Sequence, residues 1–269
     1  MQVQKTTEIY KIPSFKSCSR VYKSIETPIA SAFKQEEIYT TSGPFRKHIK
    51  WQEFIPDLIK HFGKKKTVNI YSLGCSDGSE AYSYAMAIAD RVSKNEFKKY
   101  SILASDIDSE VIRAANTRKI NFDTSDVRRI KENLRNGNDF ESRYFVQYGE
   151  PVRIFNDMNP DFHTVSSPLR GYKPIGAIRD VVRFYESDAL TEIRKINDTG
   201  NSIVNTCHIL GYCSEEYVEN VLNALSQKLK SGSWYVYDKM CNSDIHFKNK
   251  LKELGFFFPK ENSCYAQKL

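Results

Sequence analysis

A chain of 269 residues with a net charge of +7, 40% hydrophobic, 13% aromatic and 27% charged residues is long enough for one large buried core, and its composition excludes disordered, collagenous and fibrous classes. It holds no run of roughly twenty apolar residues, and its first thirty residues lack an apolar segment with a small-residue cleavage site; a cytoplasmic protein without a transmembrane segment is expected. The six cysteines, Cys18, Cys75, Cys207, Cys213, Cys241 and Cys264, form no C-x-x-C pair, which argues against a zinc knuckle or a dense disulfide framework, and no metal is expected.

The charge is uneven. Residues 1–66 hold thirteen Lys and Arg against six Asp and Glu, and the remainder holds twenty-seven of each. Such a front attracts an acidic partner through its field, although Lys64, Lys65 and Lys66 read equally well as a solvated loop before a strand. Nucleic acid is not expected as a partner, and the sequence leaves the oligomeric state open. Residues 1–45 read as a basic lead-in with a short helix near Ile29 to Gln35, and residues 46–269 as one domain.

In chain order, Ile49, Trp51, Phe54, Ile55, Leu58 and Ile59 give residues 47–62 the spacing of an amphipathic helix. Thr67 to Leu73 reads as a strand, Glu80 to Val92 as a helix, Tyr100 to Ala104 as a second strand, and Ser109 to Arg118 as a helix capped by Ser109. Strand, turn and helix recurring at this interval predict parallel pairing through crossover helices, hence an α/β fold. Between about 121 and 180 the rhythm breaks. A helix over Asp126 to Leu134 and extended runs at Tyr144 to Gln147, Val152 to Phe155 and Ile175 to Arg179 suggest a small antiparallel insertion. Strands follow at Val181 to Tyr185, Ser202 to Cys207 and Trp234 to Tyr237, with a helix at Glu215 to Leu229. Phe256 to Phe258 and Cys264 to Gln267 predict a closing hairpin, an antiparallel edge on a mostly parallel sheet.

The loop Gly74-Cys75-Ser76-Asp77-Gly78-Ser79-Glu80 joins the first strand to its helix, at the carboxyl edge where open α/β sheets bind ligands. Its glycines permit a sharp turn and close ligand approach, but G-x-x-x-G is also what a structural turn needs, and it departs from the dinucleotide G-x-G-x-x-G. Asp106, ending the next strand, is placed to accept hydrogen bonds from a ribose diol; its other reading is a carboxylate at a helix N-terminus.

Tyr71-Ser72-Leu73-Gly74-Cys75-Ser76-Asp77-Gly78-Ser79-Glu80-Ala81-Tyr82-Ser83, then Ala104-Ser105-Asp106-Ile107-Asp108, resembles the CheR chemotaxis-receptor glutamate methyltransferases, whose loop reads roughly G-C-S-T-G-E-E-P-Y-S and whose next strand ends S-D-I-D. The likeness runs from about Thr41 to the C-terminus. It implies a Rossmann-like class I methyltransferase with a mostly parallel seven-stranded sheet, an antiparallel C-terminal strand and a small β insertion. The implied cofactor is S-adenosylmethionine (SAM), and the implied reaction is methyl transfer to a protein side chain or a small-molecule acceptor, in either case one that could be acidic. The resemblance implies that Ser42 and Arg46, matching T-x-F-F-R, face the methionine end, that Glu80 neutralises the α-amino group, and that Asp106 with Ile107 holds the ribose side. Gly74, Cys75 and Gly78 form the loop, Asp188 with Ala189 meets the adenine, and Tyr212 lies near the transferred methyl. Each has a plainer reading: Arg46 as a surface charge, Glu80 as a first-turn helix acid, Asp188 as a cap, Tyr212 as a half-buried ring.

Two departures from the family stand out. Its C-R-N-V-x-x-Y reads Cys207-His208-Ile209-Leu210-Gly211-Tyr212 after Thr206 here, so the Arg suited to clamp a carboxylate is Cys207 and the Asn is His208. His208 then becomes a candidate to orient or deprotonate an acceptor other than receptor glutamate, or it is a packed histidine at a strand end. Only about forty residues precede Ser42, where the family carries a basic helical domain. A catalytically silent SAM-binding sensor or scaffold is the alternative these changes raise.

Overall fold

The computed structural model describes residues 43–152, 169–207, 209–237, 245–260 and 263–269. The predicted helix near Ile29 to Gln35 lies outside them, as do Ser42 and His208. Helix α1 (Trp51–Phe62) leads into strand β1 (Val68–Leu73), helix α2 (Ser79–Ala89), the short α3 (Lys94–Phe97), β2 (Tyr100–Asp106) and α4 (Ser109–Asn116). Then come β3 (Ile120–Phe122), α5 (Thr124–Asn133), α6 (Phe140–Arg143), β4 (Phe145–Val152), β5 (Leu169–Pro174) and α7 (Gly176–Val181). The parallel rhythm resumes with β6 (Val182–Glu186), α8 (Ala189–Lys195), β7 (Ser202–Asn205), α9 (Glu215–Lys228) and β8 (Trp234–Val236), and the chain ends in α10 (Ile245–Glu253), β9 (Phe256–Phe257) and β10 (Tyr265–Lys268).

Seven strands form the main sheet in the order β6-β2-β1-β7-β8-β10-β9. β6, β2, β1, β7 and β8 are parallel neighbours, and β10 runs antiparallel to both β8 and β9, as the closing hairpin predicts. The chain order turns back at β1, so the carboxyl ends of β1, β2 and β7 surround the switch point at which such sheets bind ligands.

Strand side chains alternate between the two faces. Val68, Ile70, Ile203, Trp234 and Val236 join one core with the buried Trp51, Phe54, Ile55, Leu58 and Phe62 stripe of α1 and with α2. Tyr71, Leu73, Val204 and Tyr235 join a second core with α8, α9 and α10. Residues Ser79 to Ile88 of α2 are all buried, which is why that segment shows no polar stripe in sequence.

The β insertion is present: β3, β5 and β4 form a separate three-stranded antiparallel sheet in the order β3-β5-β4. Within it the expected extended run Ile175 to Arg179 is corrected. The strand is the preceding Leu169–Pro174, and Gly176–Val181 is helical, burying Ile178; Pro174 lies at its end, and a proline supplies no amide to continue a ladder. The run beginning at Val152 is the end of β4 rather than a separate strand, and the rest of it lies outside the described residues. The predicted Ser109 cap is also corrected: Asp108 caps α4, its Oδ1 accepting the amides of Glu110 at 2.8 Å and Val111 at 3.3 Å. A carboxylate at the extended residue just before the helix reaches those orphan amides, whereas Ser109 is already inside the helix.

Asp198 anchors the amino edge of the sheet. It is buried, its Oδ1 accepts the amides of Gly200 and Asn201, and its Oδ2 accepts the Lys230 amide and the Ser233 hydroxyl. Burial alone would raise its carboxyl, but the hydrogen bonds from Ser233, Lys230 and Asn201 outweigh it and hold the group below the ordinary carboxylate range. A depressed folded value gives stability that is fully present above the unfolded pKa, about 3.9, and is lost as pH falls through the folded value. Asp198→Asn is therefore expected to cost about 2 kcal/mol at pH 7 in urea unfolding, and the gap from the unaltered protein should narrow below about pH 4. A gap that is constant with pH would contradict this role.

No helix among the described residues is long and apolar enough to cross a membrane.

Candidate cofactor site at the switch point

The loop after β1 is wound tightly. Gly74 has φ +63° and Gly78 φ +84°, and Ser76 between them is also left-handed at φ 49°. A Cβ on Gly74 would lie 2.6 Å from Ile209 Cγ1, and one on Gly78 would lie 2.6 Å from Phe184 Cζ. Both positions thus need glycine for conformation and for space. The Cys75 amide donates to the Ser105 carbonyl at 2.8 Å, tying the loop to the end of β2. Cys75 itself is buried; burial first, then the neighbouring charges of Asp106, Asp77 and Glu80, push its thiol well above its ordinary value. It stays protonated and serves the site through its backbone.

Asp106 sits at the tip of β2, half-buried. Its Oδ2 accepts the Ser76 amide at 2.9 Å and its Oδ1 the Asp108 amide at 3.1 Å. One bond per oxygen orients the carboxylate and leaves acceptor capacity of the kind a vicinal diol takes up. Ile107 beside it is 72% exposed, an apolar surface at the mouth of the site. Asp188 caps α8, its Oδ2 accepting the Thr191 amide at 2.9 Å while its Oδ1 accepts the Tyr217 hydroxyl at 2.6 Å. Burial works to raise this carboxyl, and the hydrogen bonds from Tyr217, Thr191 and Leu190 prevail and lower it. Ala189 follows it, buried.

At the other end of the cleft, Glu80 is 2% exposed. Arg46 Nε donates to its Oε2 at 2.7 Å, while Ser72 Oγ at 3.0 Å and Asn205 Nδ2 at 2.6 Å donate to its Oε1. The segment carrying Arg46 is pinned on α2 and α1: the Phe45 amide donates to Ser83 Oγ at 2.8 Å, and the Arg46 carbonyl accepts from Trp51 Nε1 at 3.1 Å. Arg46 is thus no surface charge. Ser72 and Asn205 were not evident from the pattern, although each is a polar side chain breaking an apolar strand just where that strand reaches the carboxyl edge.

Asn205 also carries the network outward, its Oδ1 accepting the Cys207 amide at 2.9 Å. Cys207 Sγ lies 3.3 Å from His48 Nε2, a contact that no local sequence pattern singles out. The backbone at Tyr212 belongs to a short 3-10 turn, Leu210–Tyr212, just beyond β7.

The charges in this cleft discriminate between ligands. Asp77 Oδ1 already accepts the Ser79 amide at 2.9 Å, and Glu80 occupies the first turn of α2. Dinucleotide folds seat a pyrophosphate on that helix terminus, but here the Asp77 carboxylate already takes the Ser79 amide, and Glu80 is buried against Arg46.

Residues 40–159 match the family described as CheR methyltransferase, SAM-binding domain. No curated protein matches the chain by sequence. Among solved structures it is similar to a precorrin-8w decarboxylase from Methanobacterium thermoautotrophicum, with 15% identity and a TM-score of 0.38 over 80% of this chain and 75% of that one. It is also similar to a magnesium protoporphyrin IX methyltransferase from Synechocystis with bound SAM, with 10% identity and a TM-score of 0.38 over 81% of this chain and 78% of that one.

Proposed function

Because this chain carries the SAM-binding domain of the CheR methyltransferases and is a SAM-dependent methyltransferase, we propose that its cytoplasmic role is to methylate a protein side chain other than a receptor glutamate. SAM, when bound, supplies an electrophilic methyl group on a sulfonium. The residues of this chain have to bind, orient and shield it.

In this reading Arg46, held by Glu80, and Ser42 meet the methionine tail. Glu80 acts chiefly by positioning Arg46 and narrowing the cleft, since it already accepts from Arg46, Ser72 and Asn205. The Gly74 to Gly78 turn, with Cys75, lets the tail approach the backbone. Asp106 takes the ribose hydroxyls, Ile107 covers one side of the adenosine, and Asp188 with Ala189 meets the adenine. His208 and Tyr212 stand on the acceptor side, orienting the acceptor for in-line attack, which is the main contribution an enzyme makes to such a displacement. Residues 46–269 form the catalytic domain with its insertion at about 121–180, and residues 1–45 a basic lead-in toward an acidic partner.

The observation that carries the departure from glutamate is Cys207. A carboxylate acceptor is best gripped by a bidentate guanidinium, and the position that the CheR resemblance assigns to Arg is here a thiol packed on His48. The two edge strands of the β3-β5-β4 sheet support a polypeptide acceptor, since an extended segment can add to such an edge. Incubating the protein with methyl-labelled SAM and fractionated lysate tests this. Label is expected in protein, and label confined to the small-molecule fraction would overturn the proposed acceptor.

A further inference from the structure

His48 stands at a junction. Its Nε2 is 3.3 Å from Cys207 Sγ, just beyond the carboxyl end of β7, and His48 also lines a cavity of about 240 Å³, together with Phe54 and Tyr265. It lies two residues from Arg46, and Cys207 is joined to Glu80 through Asn205. His48 therefore joins the Arg46–Glu80–Asn205 network, through Cys207, to a recess large enough for a side chain or a small molecule.

The charges around this recess cancel. Lys50, Glu53 and Asp57 reach it from the start of α1, and Lys260, Cys264 and Tyr265 from the terminal hairpin. Lys260 Nζ is 2.7 Å from Asp57 Oδ2 and 3.9 Å from Glu53 Oε2, Lys50 Nζ is 3.8 Å from Glu53 Oε1, and the Tyr265 hydroxyl donates to Asp57 Oδ2 at 3.3 Å. Its cations already face carboxylates, which makes it a poor receptor for an anionic acceptor. A neutral one fits.

We propose that His48 is the proton acceptor of the transfer and that the acceptor is a protonated heteroatom nucleophile, a hydroxyl, thiol or amine, rather than an ionised carboxylate. The inference rests on the methyltransferase reading above. The acceptor's heteroatom forms the new bond to the methyl carbon, the electron pair of the broken methyl–sulfur bond stays on sulfur, and the acceptor's proton passes to the imidazole, which becomes imidazolium. In this step Nε2–H donates to Cys207 Sγ, which positions the ring and fixes its tautomer, and the acceptor's proton goes to Nδ1. A positioned base of this kind is worth roughly 100-fold or more in rate.

The first test needs no acceptor. In protein labelled with ¹⁵N-histidine, which has five histidines, the His48 signals, assigned from His48→Gln, are expected to shift on adding S-adenosylhomocysteine (SAH), and Cys207→Ser is expected to change the balance of its ring tautomers. SAH binding by calorimetry with unmoved His48 signals overturns the inference and leaves the methyltransferase reading standing, whereas a protein that binds no SAH brings down both. The second test is the stability of the labelled product. Label passed from methyl-labelled SAM to lysate is expected to survive mild alkali, as ethers, thioethers and methylamines do; alkali-labile label released as methanol marks a carboxyl ester and overturns the proposal. Where label is stable, His48→Gln should lower transfer about 100-fold and abolish its loss at acid pH, while His208→Gln lowers transfer but keeps that pH limb. The reverse pattern assigns the proton to His208 and overturns the proposal.

Discussion

Replacing Glu80 with Ala is expected to lower the free energy of unfolding by about 3–5 kcal/mol, seen as a large fall in the urea midpoint. The magnitude follows from burial. Glu80 is 2% exposed and Arg46 7%, so removing the carboxylate leaves a guanidinium in a largely dry setting without the partner 2.7 Å away, and takes from Ser72 and Asn205 the acceptor they share. An exposed pair would cost at most about 1 kcal/mol. Set against a total stability of roughly 5–15 kcal/mol, the change can unfold the protein at ordinary temperature. A second variant therefore separates folding from binding. Arg46→Met with Glu80→Leu removes both charges together, and replacing a buried pair with apolar groups of similar size is often neutral for stability. The double variant keeps the cost of the acceptor lost to Ser72 and Asn205, about 1–3 kcal/mol, but not that of a stranded guanidinium, so it should be more stable than Glu80→Ala and fail to bind SAH. If it binds SAH with unchanged affinity, the Arg46–Glu80 pair is purely structural.

Asp106→Ala carries the second large effect. Two hydrogen bonds from a ribose diol to a carboxylate are worth about 1.5 kcal/mol or more each, so the affinity for SAH is expected to fall about 100-fold. Stability should fall much less, because the amides of Ser76 and Asp108 lie on an accessible loop where water can replace the lost acceptor. Asp106→Asn should land between the two. An affinity within threefold of the unaltered protein, with the fold intact, would mean that Asp106 only caps the turn.

The contrast between these residues shows what a sequence carries and what it leaves out. Asp106 is legible because the apolar run Ile102-Leu103-Ala104 stops just before it and a helix starts just beyond. The helical spacing of Trp51, Phe54, Ile55 and Leu58, and the closing hairpin, were legible for the same reason, since burial on one face writes itself as periodicity. The Ile175 to Arg179 error shows the limit. β-branched residues favour strands only weakly, and which short run pairs in the β3-β5-β4 sheet is decided by register with distant partners. Asp108 rather than Ser109 as the cap was a one-residue ambiguity, typical of helix ends. Ser72, Asn205 and His48 were missed because their meaning comes from contacts across 8, 125 and 159 positions of chain; no local pattern encodes that His48 meets Cys207. The turn from Gly74 to Gly78 and the tip of β2 at Asp106 lie close together in sequence and could be read there, whereas the Arg46–Glu80–Asn205 and His48–Cys207 contacts join distant parts of the chain.

Calorimetric titration of the intact protein with SAM, SAH and NAD tests the central claim most directly. The site built from Asp106, Ile107 and the Arg46–Glu80 pair, with the Asp77 carboxylate at the helix terminus where a pyrophosphate would have to sit, predicts saturable binding of SAM and SAH and none of NAD. Binding of NAD without binding of SAM would contradict it.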